Sequence, residues 1–191
     1  MKEEIILLGG GGHCRSVIDV IEQEGRFIVA GIIEKFNGES NPVLGYSLIG
    51  TDDELEKLRQ KYKYALVTVG HIYSNSVRVK LFEKLEALSF SIPKIISPFA
   101  YVSPHATIEK GTVVMHHALI NAGVEVGQNC IINSKALLEH DAQIAHHCHI
   151  ATGALLNGDV TIKANTFVGS GAIVTQGCVV DGFVKAGSIV K

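Results

Sequence analysis

The 191-residue sequence lacks the features that define several large protein classes. Its formal net charge is only −2, so it has no basic surface of the kind that nucleic-acid-binding proteins use. No apolar run is long enough to span a membrane, and the first residues, Met1 to Glu4, do not resemble a signal peptide. These absences favour a cytoplasmic protein that neither binds nucleic acid nor inserts into a membrane.

What the sequence does contain is an uninterrupted six-residue repeat. Every sixth residue from Ile96 to Val180 is aliphatic, and the residue two positions before each of them is mostly Ala, Cys or Thr. A six-residue period fits neither an α-helix nor an isolated strand, but it is typical of hexapeptide repeats, which form one short strand and one corner each. Three strands close a coil of about 18 residues, so the sequence predicts a parallel β-helix of about five coils.

Three of the four cysteines belong to this pattern, because Cys130, Cys148 and Cys178 occupy the small-residue positions. Cys130 and Cys148 are one coil apart and should therefore stack on each other. The sequence contains no CxxC pair, which argues against a metal site or a disulfide framework. We interpret these cysteines as small buried hydrophobic residues that remain reduced.

Residues 1–92 have a different pattern, in which predicted strands alternate with predicted helices. This alternation is typical of a small parallel α/β sheet of the Rossmann type, and it leaves residues 93–191 for the β-helix. The predicted strands cover residues 4–8, 27–33 and 64–69, and the predicted helices cover residues 16–24, 51–60 and 74–88.

A glycine turn, Gly9–Gly12 followed by His13, joins the first predicted strand to the first predicted helix. Such a turn lets backbone N–H groups approach an anion at the start of a helix, although it lacks the third glycine of GxGxxG and a Walker lysine. Glu34 and Lys35 follow the second strand, where domains of this type contact a ribose or a base, and Gly70 follows the third. A purely structural turn and an ordinary solvated strand end remain the alternatives.

Seven of the nine histidines lie in the predicted β-helix, most densely in His140-Asp141 and in the segment 146–149. A histidine beside a carboxylate is a common form of general base, and it could deprotonate an amine or a hydroxyl that attacks a thioester. The same residues could instead bind a metal ion at a subunit interface. Spacing alone leaves both possibilities open.

Over essentially its whole length the chain resembles the NeuD/PglD-type sugar acetyltransferases. The most specific segments are Gly9–His13, Asn133–Asp141 and His149–Gly158. The family includes enzymes that N-acetylate a UDP-4-amino-sugar and enzymes that O-acetylate sialic acid. The resemblance implies a left-handed β-helix, a homotrimer, acetyl-CoA bound in the groove between neighbouring prisms, and a nucleotide-sugar held by the N-terminal domain.

The resemblance also implies roles for individual residues. His140 would be the general base, and Asp141 would be its acidic neighbour, at a position where the family often has glutamate. The other implied residues bind the two substrates: His149, Gly158 and Ser170 the acetyl-CoA, Gly11, Gly12 and His13 the nucleotide-sugar phosphates, Glu34 and Lys35 the uridine side, and Gly70 the floor of the crevice.

We therefore expect direct acetyl transfer from acetyl-CoA to the amine of a UDP-linked 4-amino-sugar, without a covalent enzyme intermediate or a metal. O-acetylation of sialic acid or of another sugar hydroxyl is the alternative within this class. Outside it, the histidines would fit a γ-carbonic-anhydrase-like zinc enzyme, and the prism alone would fit a non-catalytic trimerisation module. The family usually has a GVPAK-like tail over the CoA, which is missing from the sequence up to Lys191.

Overall fold

The computed structural model describes residues 2–35 and 42–191. The chain forms two compact units, the first ending at Pro93 and the second beginning at Lys94. Within the described residues, no helix is both long enough and apolar enough to cross a membrane.

The first unit contains a four-stranded parallel sheet with helices between its strands, as the alternating pattern predicted. The strand order is β3-β2-β1-β4. The elements in chain order are β1 (Glu3–Leu8), α1 (Gly12–Glu24), β2 (Phe27–Ile33), β3 (Leu48–Gly50), a 3₁₀ turn (Asp52–Glu54), α2 (Leu55–Arg59), β4 (Tyr64–Val67) and α3 (Ser76–Ala87).

Helix α1 and strand β3 differ most from the sequence prediction. Helix α1 begins at Gly12 rather than Ser16, so the end of the glycine turn is also the first turn of the helix. Strand β3 was not predicted, because a three-residue segment is too short to show a strand period. The helix start predicted at Thr51 is present as a capping box, in which the Glu54 carboxylate accepts a hydrogen bond from the Thr51 backbone N–H at 3.0 Å.

The core of this unit contains the central strand β1 and one face of α1. The side chains from Ile5 to Leu8 are fully buried, and so are Val17 and Ile21 on the helix. Helix α1 ends at Gly25, which has a left-handed backbone (φ 71°) and donates its N–H to the Ile21 carbonyl at 3.0 Å.

The second unit is a left-handed parallel β-helix, and this confirms the fold predicted from the six-residue repeat. Its two-residue strands form three sheets, named here faces A, B and C. Face A contains β5 (Ile95–Ile96), β8 (Val113–Val114), β11 (Ile131–Ile132), β14 (His149–Ile150), β17 (Phe167–Val168) and β20 (Phe183–Val184). Face B contains β6 (Tyr101–Val102), β9 (Leu119–Ile120), β12 (Leu137–Leu138), β15 (Leu155–Leu156), β18 (Ile173–Val174) and β21 (Ile189–Val190). Face C contains β7 (Thr107–Ile108), β10 (Glu125–Val126), β13 (Gln143–Ile144), β16 (Thr161–Ile162) and β19 (Val179–Val180).

Strands that neighbour each other within a face lie one coil apart. Ile131, for example, pairs with Val113 on one side and with His149 on the other, each 18 residues away. The second residue of each strand points into the prism, where side chains such as Leu138 are fully buried. The coil shortens once, because β20 pairs with β17 at a spacing of 16 residues, from Phe167 to Phe183. The strict six-residue period therefore ends at Val180, although β20 and β21 continue the prism.

The corners of the prism require left-handed backbone conformations. Glycine adopts this conformation freely. Other residues adopt it at an energetic cost, which is lowest for Asn and Asp. Seven non-glycine corner residues have φ between 55° and 65°: His117, Asn129, Lys135, Asp141, His147, Asp159 and Asn165.

The interior cysteines are free thiols, and Cys130 and Cys148 are buried as predicted, while Cys178 is only partly buried. They do more than fill space, however. The Cys130 thiol donates to the Ala145 carbonyl at 3.1 Å and accepts from the Cys148 N–H at 3.4 Å. The Thr112 hydroxyl does the same one coil earlier, accepting from the Cys130 N–H at 2.9 Å. Thr112, Cys130 and Cys148 lie in three successive coils, and their polar atoms thus form hydrogen bonds between neighbouring coils.

Candidate functional site

The corner between faces B and C holds the predicted general base. His140 and Asp141 follow β12, and His140 Nδ1 lies 2.9 Å from Asp141 Oδ2. Both side chains are more than half exposed, at 56% and 66%. Asp141 has a left-handed backbone (φ 62°), and its N–H donates to the Ala122 carbonyl of the preceding coil at 3.1 Å.

This contact determines how the imidazole can act. When Nδ1 donates its proton to the carboxylate, the neutral ring keeps a lone pair on Nε2. The pKa of His140 is raised above its ordinary value, chiefly by the hydrogen bond to Asp141; the negative charges of Glu139 and Asp159 also raise it, while partial desolvation opposes them. Nε2 is therefore the atom that can accept a proton from a substrate.

Gly158 lies in the next coil against the His140 ring. A Cβ atom added at Gly158 would lie 2.6 Å from both Cε1 and Nε2 of His140. Only glycine leaves room for the ring in this position. The structure thus brings together three of the five site residues predicted in the β-helix, His140, Asp141 and Gly158.

The other two predicted residues lie elsewhere on the prism. His149 is on the outer side of face A, 8% exposed, with Nε2 3.1 Å from Asn133 Nδ2 and its ring edge-on to Phe167 at 5.2 Å. Ser170 is exposed at the corner between faces A and B, where its carbonyl accepts from the Gly187 N–H at 2.9 Å. Face A lies opposite the corner between faces B and C. Within one chain, therefore, His149 is on the far side of the prism from His140.

The remaining histidine cluster sits at the corner between faces C and A. His146 Nδ1 accepts from the Gln128 N–H at 3.0 Å and lies 3.5 Å from Glu109 Oε2. These side chains border a groove of about 630 Å³ along face C. In the described part of the chain, no three side chains of His, Cys, Asp or Glu lie close enough together to hold a metal ion.

The first unit places the glycine turn at the carboxyl end of its sheet. Gly9 has a φ of 105°, and its N–H donates to the Ile33 carbonyl at 2.8 Å. Gly11 caps α1 and Gly12 begins it, and a Cβ atom added at either would meet nothing within 4 Å. The first turn of α1 is therefore open to a ligand that approaches its backbone.

His13 and Gly70 lie together at this edge, since a Cβ atom at Gly70 would be 3.2 Å from the His13 Cβ. The Glu34 carboxylate accepts a hydrogen bond from the Gly10 N–H, a contact that the sequence did not reveal. Glu34 thus helps to hold the glycine turn, whereas the adjacent Lys35 is exposed.

Two buried polar residues near this edge were also missed. The Thr68 hydroxyl donates to the Gly9 carbonyl at 2.7 Å and contacts the Leu8 carbonyl at 3.0 Å. Arg78 is fully buried on α3, and its Nη1 donates to the Val67 and Val69 carbonyls at 2.9 and 3.0 Å. A polar residue inside an otherwise apolar strand was a signal for Thr68, but nothing in the sequence distinguished Arg78 from a surface arginine.

Known proteins share the fold of this chain. The family model of the PglD N-terminal domain matches residues 4–85. Among curated proteins there is no significant match. A solved structure of perosamine N-acetyltransferase from Caulobacter crescentus, a histidine-to-asparagine mutant in complex with CoA and GDP-perosamine, is 31% identical, with a TM-score of 0.92 over 98% of this chain and 88% of that one. The acetyltransferase domain of PglB from Neisseria gonorrhoeae, in complex with acetyl coenzyme A, is 29% identical, with a TM-score of 0.88 over 100% of this chain and 93% of that one.

These relatives share both units of the fold, and the matched residues 4–85 include the glycine turn. The resemblance seen in the sequence motifs is thereby confirmed: the chain belongs to the NeuD/PglD-type family of acetyl-CoA-dependent sugar acetyltransferases.

Proposed function

We propose that this protein transfers the acetyl group of acetyl-CoA to the amine of a nucleotide-linked sugar, with His140 as the general base. The observation that carries the proposal is the exposed His140–Asp141 pair, which leaves Nε2 available to a substrate. The relatives support the chemistry, because one is a perosamine N-acetyltransferase in complex with CoA and GDP-perosamine and another is in complex with acetyl-CoA.

The reaction needs one proton acceptor and no covalent enzyme intermediate. Nε2 of His140 removes a proton from the sugar amine as its nitrogen attacks the thioester carbonyl carbon. The tetrahedral intermediate then collapses, the C–S bond breaks, and the imidazolium returns its proton to the departing CoA sulfur. Asp141 keeps Nδ1 protonated and stabilises the positive charge that His140 gains during the step.

For the acetyl acceptor we propose a nucleotide-linked sugar whose nucleoside diphosphate binds at the first turn of α1. The open backbone at Gly11 and Gly12 and the partial positive charge of a helix start suit a diphosphate, with His13 beside it. Glu34, Lys35 and Gly70 would border the nucleoside. A UDP-linked 4-amino-sugar is the first acceptor to test, and the GDP-sugar of the Caulobacter relative is the second.

We also propose that the active molecule is a homotrimer. His149 and Ser170 lie apart from His140 within one chain, so a shared acetyl-CoA would have to bind between two chains. An apolar column on the outside of face B supplies a surface for a second copy. It consists of Tyr101, Leu119, Leu137, Leu155, Ile173 and Ile189, of which Tyr101, Leu119 and Ile189 are exposed.

A thiol-release assay with acetyl-CoA tests the reaction, using UDP- and GDP-linked amino-sugars and sialic acid as acceptors. We expect release with a nucleotide-linked amino-sugar, and we expect His140→Ala to lower kcat by about 10²- to 10⁴-fold while CoA still binds. His105→Ala is the matched control, since His105 is an exposed histidine at the same type of corner. Near-normal turnover by H140A would rule out its role as base. Release with sialic acid alone would assign the enzyme to O-acetylation.

A further inference from the structure

Gly123 lies directly beneath the carboxylate of Asp141. The two residues occupy the same corner position in successive coils. A Cβ atom added at Gly123 would lie 2.2 Å from Asp141 Oδ1 and 3.2 Å from its Cγ. A real Cβ cannot approach an oxygen so closely, so the carboxylate stands in space that any side chain at position 123 would take.

The backbone conformation does not by itself explain the glycine. Four successive residues of this corner column, Gly123, Asp141, Asp159 and Gly177, have left-handed backbones, with φ of 75°, 62°, 59° and 70°. The column therefore accepts residues that have side chains. At Gly177 a Cβ atom would meet nothing within 4 Å. What distinguishes Gly123 is the Asp141 carboxylate above it.

We propose that Gly123 is a positioning residue for acetyl transfer, because it admits the Asp141 carboxylate to the place where it holds His140 Nδ1. This inference rests on the proposed function of the His140–Asp141 pair. The two oxygens of a carboxylate move together. Displacing Oδ1 from above Gly123 therefore also pulls Oδ2 away from the imidazole, which it contacts at 2.9 Å.

The pair is flanked by residues of both neighbouring coils. Gly123 leaves room for Asp141 on one side, and Gly158 leaves room for the His140 ring on the other. The adjacent Glu139 is fixed as well, since it accepts from Asn121 Nδ2 in the preceding coil at 2.8 Å. Both members of the pair thus owe their placement to residues 18 positions away that carry no side chain.

The test compares Gly123→Ala with Gly177→Ala, which impose the same left-handed strain at the same corner. NMR titration gives the His140 pKa, and steady-state assays give kcat and the KM for acetyl-CoA. We expect G123A to lower the His140 pKa and to lower kcat by about 10- to 100-fold, because a displacement near 1 Å can cost that much. We expect G177A to change neither quantity. Equal effects of the two substitutions would overturn the proposal.

A second comparison uses the Asp141→Ala background, in which the new Cβ would have no carboxylate to meet. In the D141A background, G123A should lower kcat no further than G177A does. Its effect acts through the contact with the Asp141 carboxylate, and the effects of two substitutions that act through one contact are not additive. If G123A alone lowers the Tm, D141A should restore it, and a loss that persists in both backgrounds would contradict the proposal. The NMR comparison tests the placement of Asp141 even if no acetyl acceptor is found. Failure of this inference can therefore be distinguished from failure of the proposed function.

Discussion

The proposed chemistry of the site depends on two adjacent residues at one corner, His140 and Asp141. The motif in the sequence pointed to His140, but it did not show which nitrogen faces Asp141 or that Gly158 lies against the ring. The first contact depends on side-chain rotamers and the second joins residues one coil apart, and a pattern of inward and outward positions specifies neither. The sequence also did not predict the Gly10–Glu34 contact, because it joins residues that follow two different strands.

If His140 is the base, as we propose, its raised pKa should set the pH dependence of the reaction. The base must be neutral, so kcat/KM should fall as the pH decreases through that pKa. Asp141→Asn removes the main cause of the upward shift, so the acidic limb of the profile should move to lower pH while the maximum rate decreases. Asp159→Asn serves as the control and should move the limb less, because Asp159 acts only through its charge. A limb that stays in place in D141N would contradict the assignment.

The thiol of Cys130 accepts a hydrogen bond from the buried Cys148 N–H, so its polarity should matter for stability. Cys130→Ala leaves that donor without its acceptor and should lower the free energy of unfolding by about 1–3 kcal/mol. Cys130→Ser keeps a hydroxyl of the kind that Thr112 supplies one coil earlier and should cost less. Urea denaturation measures both. Equal losses would mean that the thiol only fills space.

At the level of elements, the strands of the prism were the most predictable part of the chain. Each strand is only two residues long, yet the interior positions recur at a fixed spacing and could be read without knowledge of the tertiary structure. The sequence was less informative where the period changes, at the corner Asp181–Gly182, and in the first unit, where β3 is very short. Arg78 could not have been placed, since its carbonyl partners are Val67 at the end of β4 and Val69 just after it.

The last strand of face C offers a direct test of the inward and outward positions. Val180 is 5% exposed, whereas its neighbour Val179 is 62% exposed. Val180→Ala should lower the free energy of unfolding by about 2 kcal/mol, because buried methyl groups are lost and a cavity remains. Val179→Ala removes the same atoms from a solvent-exposed position and should cost much less. Thermal and urea denaturation of the two variants compare them, and similar losses would be inconsistent with the register described.

For the whole molecule, the sequence predicted the fold of both parts, because an alternating strand–helix pattern and a strict six-residue repeat each have a specific architecture. It could not show that His149 and His140 lie on opposite sides of the prism, which emerges only when the corners are assigned to faces. That separation is what connects catalysis to assembly in the proposed trimer.

A charged side chain on face B should therefore both separate the subunits of the proposed trimer and abolish its activity. We expect Leu119→Glu to yield monomers in sedimentation velocity and to lose turnover even though His140 is untouched, because a carboxylate would be desolvated in the interface. Val179→Glu introduces the same group on exposed face C and should keep both the assembly and the activity. A trimer that persists in L119E would show that face B is not the interface.

Paired strands from β5 to β19 are all 18 residues apart, and this regular spacing also has a kinetic consequence. Each of these coils closes a loop of the same length, so the entropic cost of adding one does not depend on where between β5 and β19 it lies. Folding can therefore begin at any coil and proceed towards both ends, as in other repeat proteins. A local defect in one coil should then slow its addition without preventing distant coils from forming first.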